Sequence, residues 1–139
     1  MKKIEIFTDG SCLGNPGNGG WCAILRYNSH EKILSGSEAN TTNNRMELLA
    51  VIKALEALKQ PCEIELYSDS TYVLKGLNEW LEGWIKKDFK KVKNVDLWKR
   101  YIEVSKPHKI HINWIKGHSG HKENEICDKI AKERAKELE

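Results

Sequence analysis

The sequence predicts an α/β domain built on a mixed five-stranded sheet. Three observations predict it. Residues 4–39 carry strand-like alternation, the apolar period turns helical from Asn44, and strand and helix patterns then alternate to the C-terminus.

Ile4, Ile6 and Thr8 alternate with Glu5, Phe7 and Asp9, which reads as a first strand. "WCAILRY" (21–27) reads as a second and residues 32–39 as a third. Only loop residues separate them, so an antiparallel meander is expected. Leu48, Val51, Ile52, Leu55 and Leu58 form a helical stripe, with Pro61 just beyond its end. "EIELYS" (63–68) is a fourth strand. Val73, Leu77, Trp80, Leu81 and Trp84 then recur at helical spacing. Leu97, Trp98, Tyr101 and Ile102 mark another helix, with Asn94 as its expected cap. "KIHINWI" (109–115) is a fifth strand. A charged helix from Lys122 follows, with Cys127, Ile130, Ala131 and Leu138 as its inner face.

A chain of 139 residues with no linker or low-complexity segment is expected to form one domain, residues 1–139. Its 40% hydrophobic and 31% charged residues fit a soluble globular protein. Nothing resembles a signal peptide or a membrane-spanning run, so a cytoplasmic location is expected. The four cysteines, at 12, 22, 62 and 127, form no Cys-x-x-Cys pair and are expected to be reduced thiols. Net charge is only +3, but "KKDFKKVK" (86–93) holds five lysines against one aspartate. Such a cluster attracts polyanions. On charge alone, a solvated lysine-rich face is the favoured reading.

"IEIFTDGS" (4–11) and "IELYSDST" (64–71) echo one another as Ile-Glu-apolar-aromatic-hydroxyl-Asp-small-hydroxyl. If these strands are parallel neighbours, Asp9 and Asp69 lie at the same strand end, about 4.8 Å apart in strand spacing. Ligands bind at the carboxyl ends of strands in open α/β sheets. Two carboxylates that close require a proton or a cation, and Mg²⁺ suits them.

Each acidic residue also has a structural role open to it. Asp9-Gly10 is a turn signal, and Asp69 precedes a helix that it is placed to cap. Asn44 and Glu47 have capping-box-like spacing, and Asp128 stands four residues before Lys132, the spacing of a helix-surface ion pair. The matched pair Asp9 and Asp69 favours metal. Spacing alone does not connect Glu47 and Asp128 to them.

"IFTDGSCLGNPGNGG", "TTNNRMELLAVIKALEAL", "YSDSTYV", "VKNVDLW" and "WIKGHSGHKENEICDKIA" occur in that order between Ile4 and Ala135. Together they resemble a bacterial type 1 ribonuclease H. The resemblance implies a ribonuclease H-like fold with strand order 3-2-1-4-5. It implies an endonuclease that hydrolyses the RNA strand of RNA–DNA hybrids, leaving 3′-hydroxyl and 5′-phosphate ends. The implied cofactor is Mg²⁺, two ions per site with substrate, with Mn²⁺ as a substitute. Two such ions activate water on one side and stabilise the leaving oxygen on the other.

By the same resemblance Asp9, Glu47, Asp69 and Asp128 are the metal-site carboxylates, and His118 lies near the scissile phosphate. Gly10, Cys12, Asn15, Asn43 and Asn44 correspond to residues that read the 2′-hydroxyl of RNA, and Thr42 to a DNA-phosphate pocket. Turn formation by Asn15 and helix capping by Asn43 or Asn44 are their structural alternatives. Trp80, Trp84, Lys86 and Lys87 fall in a basic protrusion that contacts DNA. That shifts the favoured reading of the lysine cluster, although the stretch from Trp84 to "VKNVDLW" is shorter than in familiar members. A monomer without a separate hybrid-binding domain before Met1 is expected.

Three rival readings remain testable. Integrases, transposases and Holliday-junction resolvases share the fold but cut DNA. A binding module without catalysis would bind hybrid and not cleave it. A zinc site from His118, His121 and Cys127 lacks a fourth ligand at a recognised spacing.

Overall fold

The computed structural model describes residues 1–116 and 121–138. Five strands form one sheet in the order β3-β2-β1-β4-β5. They are β1 (Lys2–Cys12), β2 (Gly17–Tyr27), β3 (His30–Thr41), β4 (Cys62–Ser68) and β5 (Lys109–Trp114). The first three pair antiparallel, whereas β4 lies parallel to both β1 and β5.

β1, β2 and β3 all run further than side-chain alternation predicts. Pairing continues through Asp9↔Cys22, Gly10↔Trp21, Ser11↔Gly20 and Cys12↔Gly19. Glycine carries no hydrophobic signal, yet its backbone bonds like any other. Asp9 is therefore a strand residue and not part of a hairpin turn. The β1–β4 register runs from Lys2↔Cys62 through Ile4↔Ile64 to Phe7↔Tyr67, which is the alignment of the sequence echo.

Helices cover both faces. α1 (Asn43–Glu56) and α4 (Val95–Ser105) enclose a core including Ile6, Met46, Leu48, Ile52, Leu66 and Trp98. α5 (Lys122–Lys136) closes a second core of Phe7, Cys22, Ile24, Cys127 and Ala131. Neighbours Ile6 and Phe7 thus point into different cores, as expected for a central strand buried on both faces. A side chain on Gly20 would collide with the Ala131 carbonyl and the Ala135 nitrogen, so its absence lets α5 lie close on β2. Ala135 is buried, whereas Leu138, expected on that face, is exposed.

Helix ends depart from expectation in three places. Thr42 caps α1 by accepting the Arg45 N–H at 3.2 Å, so neither Asn43 nor Asn44 does. Ser70, not Asp69, caps α2 (Thr71–Lys75), accepting the Val73 N–H at 3.1 Å. A π-helical turn (Gly76–Trp80) joins α2 to α3 (Leu81–Lys86). Asn94 occupies the N-cap of α4 in a left-handed conformation (φ 58°), with no capping bond; its amide donates instead to the Tyr72 hydroxyl at 3.1 Å. All four cysteines are free thiols. No helix among the described residues is long and apolar enough to cross a membrane.

Candidate active site

The parallel register delivers Asp9 from β1 and Asp69 from just past β4 to the same end of the sheet. The first turns of α1 add Glu47. One carboxylate oxygen from each of Asp9, Glu47 and Asp69 lies within 4.8 Å of the others. Asp128 of α5 lines the same cavity of about 350 Å³, together with Asn43, Asn44 and Lys132. Asp128 stands outside the tight trio, and its Oδ2 is 3.0 Å from the Lys132 ammonium. Clefts of about 450, 610 and 360 Å³ lie elsewhere, and among the described residues none gathers a comparable metal-binding group.

Capping and hydrogen bonding explain how the trio is held. With Thr42 as cap, Glu47 is released from the capping-box role and turns into the site. The Gly10 N–H donates to Asp9 Oδ1 at 2.9 Å and also to Glu47 Oε1. A Cβ on Gly10 would overlap the Glu47 nitrogen and the Met46 carbonyl carbon, so glycine is what permits α1 to approach β1. Asp9 Oδ2 is buried and has no protein partner.

Burial, and then the neighbouring carboxylates, disfavour ionisation here. Asp9 is only 3% exposed, and burial pushes its pKa up to about 7, with the charge of Asp69 adding and the Glu47 and Gly10 hydrogen bonds opposing. Burial raises Glu47 well above the usual range, followed by repulsion from Asp9. Without metal, both carboxyls are therefore held towards their protonated forms. An orphaned buried oxygen within a cluster of hard oxygen donors fits a divalent cation. Among the described residues no other group of histidine, cysteine or acidic side chains converges in this way. Cys127 is buried in the apolar α5 core, and His121 stacks near Phe7 and Tyr67, so the zinc reading finds no support in them. His118 lies outside the described residues.

Of the residues expected to meet nucleic acid, Gly10, Asn43 and Asn44 line this cavity. Asn15 Oδ1 accepts the Asn43 N–H at 3.2 Å, joining the glycine-rich loop to the start of α1. Cys12 is half-buried, its Sγ 3.3 Å from the Thr41 carbonyl oxygen. All five lysines of the cluster, Lys86, Lys87, Lys90, Lys91 and Lys93, are exposed, Lys86 being 3.7 Å from Glu82. Trp80 is exposed and touches Tyr72 edge-on, whereas Trp84 is half-buried against Trp98 at 5.3 Å. Trp84 thus has a packing role that spacing does not separate from a binding one. Lys132 is a member of the site that sequence reasoning does not find. Its only signal is the four-residue offset from Asp128, which fits a surface pair equally well.

A 3-2-1-4-5 sheet with carboxylates gathered at the ends of adjoining parallel strands defines an enzyme of the ribonuclease H-like class with an acidic metal-binding site. The RNase H family model matches residues 1–136. The chain belongs to the ribonuclease H family and is an endonuclease of that family, acting on RNA paired with DNA. It is 64% identical to a ribonuclease HI of Campylobacter jejuni over 135 residues, covering 97% of this chain and 92% of that protein. Identity to ribonuclease HI of Helicobacter pylori is 64% over 132 residues, covering 95% and 92% of the two chains. Among solved structures, the crystal structure of LC9-RNase H1, a type 1 RNase H with the type 2 active-site motif, superposes with a TM-score of 0.89. It is 26% identical, and the match covers 98% of this chain and 73% of that one.

Proposed function

We propose that this protein cuts the RNA strand of RNA–DNA hybrids with two Mg²⁺ ions held by Asp9, Glu47, Asp69 and Asp128, leaving 3′-hydroxyl and 5′-phosphate ends. Mn²⁺ substitutes for Mg²⁺ in this reading. The convergence of Asp9, Glu47 and Asp69 on a cavity that Asp128 also lines is the observation that carries it. When bound, the two ions supply Lewis acidity, activating water and stabilising the leaving 3′ oxygen.

The chain's own residues prepare that chemistry. Gly10 fixes Asp9 Oδ1, which leaves Oδ2 without a protein partner and free to act as a metal donor. The protonation that burial favours at Asp9 and Glu47 must be lost before both serve as ligands. Asp69 and Asp128 close the donor set from the end of β4 and from α5. His118 is assigned a proton relay or help in product release. His118→Ala is expected to slow turnover without abolishing it; complete loss at saturating Mg²⁺ would show a larger role.

Substrate selection falls to the surface beside the carboxylates. Gly10, Cys12, Asn15, Asn43 and Asn44 are assigned to the RNA strand, where the 2′-hydroxyl is donor and acceptor at once. Thr42 Oγ1 accepts from the Arg45 backbone nitrogen and keeps its own proton to donate to a DNA phosphate. The exposed lysines, Lys86 and Lys87 first, are assigned to the DNA backbone, with Trp80 and Trp84 on the same protrusion. A cytoplasmic location, with which four free cysteines agree, and a monomeric state complete the reading; size-exclusion chromatography with light scattering tests the oligomeric state.

The test is a cleavage assay on hybrid, duplex DNA and duplex RNA, with Mg²⁺ and with chelator. Mg²⁺-dependent cleavage of the hybrid's RNA strand alone is expected. Asp9→Asn should remove cleavage while keeping the fold and hybrid binding. Turnover by purified Asp9→Asn would overturn the ligand assignment, and cleavage of duplex DNA would favour the integrase-like rival.

A further inference from the structure

The acidic cavity carries a cation of its own. Among the described residues lining it, Lys132 is the single base, and its Nζ lies 3.0 Å from Asp128 Oδ2. The two sit one helical turn apart on α5, so both face the cavity from the same side. The Lys132 side chain is 51% exposed and Asp128 28%. An ordinary helix-surface pair accounts for the distance. It does not account for an ammonium placed among the carboxylates assigned to metal.

We propose that Lys132 competes with the divalent cation for Asp128. Its ammonium neutralises that carboxylate before metal binds and yields it when metal arrives, so Lys132 sets the metal concentration that the site requires. This rests on the reading of Asp128 as a ligand. Mg²⁺–oxygen bonds are about 2.0–2.1 Å long, so an ion on Asp128 Oδ2 would stand close to the ammonium and repel it. The lysine has a flexible four-carbon stem and an open path to water, and so can swing aside. The Asp9–Glu47 pair makes the counter-charge useful, since an unneutralised Asp128 would repel Asp9 further.

Metal binding to the full chain without nucleic acid tests the proposal, by calorimetric titration with Mg²⁺ and by electron paramagnetic resonance of Mn²⁺. Lys132→Met should bind Mg²⁺ about two- to fivefold more tightly, as expected for loss of one partly exposed competing charge. Lys132→Arg keeps the charge and should bind as the wild type does. Thermal melting by circular dichroism confirms that each variant is folded. Asp128→Asn provides the control that separates the two claims. Unchanged affinity in Lys132→Met beside weakened affinity in Asp128→Asn overturns the competition and leaves the ligand assignment standing. Unchanged affinity in Asp128→Asn overturns the assignment itself, and the proposal with it. Weaker binding in Lys132→Met also overturns the proposal, because the lysine would then be assisting the metal.

Discussion

Gly10 and Glu47 are joined twice. The Gly10 N–H donates to the Glu47 carboxylate, and the bare Gly10 Cα allows the Glu47 backbone to approach β1. The strand that carries Asp9 and the helix that carries Glu47 are thereby locked at a single point. Separation of the two carboxylates depends on that contact more than on either side chain.

Gly10→Ala should therefore push α1 away from β1. Overpacking of this kind costs about 1–3 kcal/mol, read from urea denaturation. A misplacement of about 1 Å among reacting groups lowers single-turnover cleavage about a hundredfold. Wild-type turnover in a folded Gly10→Ala protein would show that the close approach is dispensable.

Burial of Asp9 predicts an unusual pH profile. Its carboxyl has a pKa raised to about 7 in the folded protein, above the ordinary 3.8, so the folded state binds the proton more tightly than the unfolded chain. Its contribution to stability is full below about pH 4 and is lost as pH rises towards 7. In chelator, Asp9→Asn should be more stable than the wild type at pH 7 by a free energy on the order of 4 kcal/mol, read as a higher melting temperature. The gap should close towards pH 4. A gap independent of pH would separate the stabilisation from Asp9 ionisation.

Arg45, two residues before Glu47, grips Asp96 of α4 through two bonds of 2.9 and 2.6 Å and Glu38 of β3 at 3.0 Å. The Arg45 hydrogen bonds, and then its charge, lower the pKa of Asp96. Asp96 is 63% exposed, so Asp96→Ala should cost only about 0.5–1 kcal/mol. Because the pKa is depressed, that advantage is present at neutral pH and disappears as pH falls through about 4 and below. Chemical denaturation of both proteins at pH 7 and pH 3 measures it.

Neutralising Lys86 and Lys87 together should weaken hybrid binding and flatten its dependence on salt. For every phosphate that a lysine no longer neutralises, the slope of log affinity against log salt falls by roughly 0.7–0.9. Both lysines are exposed, so folding should be unaffected. An unchanged slope would remove them from the interface.

Much of the fold is legible in the sequence because hydrophobic period reports which face of an element is buried. Ile4, Ile6 and Thr8 mark β1, and Leu48, Val51, Ile52 and Leu55 mark α1. Caps and chain ends are where local pattern misleads. Thr42, Asn43 and Asn44 are all good capping types in one run, and only backbone geometry selects Thr42. Leu138 has the right apolar spacing, but α5 ends at Lys136, before it. Asn94 takes the expected position with a different bond, because the Tyr72 hydroxyl is within reach.

The chain's own order of residues determined the five strands, and its echo aligned Asp9 with Asp69 on condition that β1 and β4 are parallel neighbours, a condition that the sheet pairing meets. Motif resemblance named Glu47 and Asp128, but no local rule placed them. Their meeting depends on two tertiary contacts, α1 against Gly10 and α5 against Gly20, where the absence of a side chain sets the distance between backbones. Tertiary packing also determined the ionisation of Asp9 and the place of Lys132 beside Asp128 in the acidic cavity. Burial and repulsion of this kind arise only when groups distant in the chain occupy one low-dielectric space.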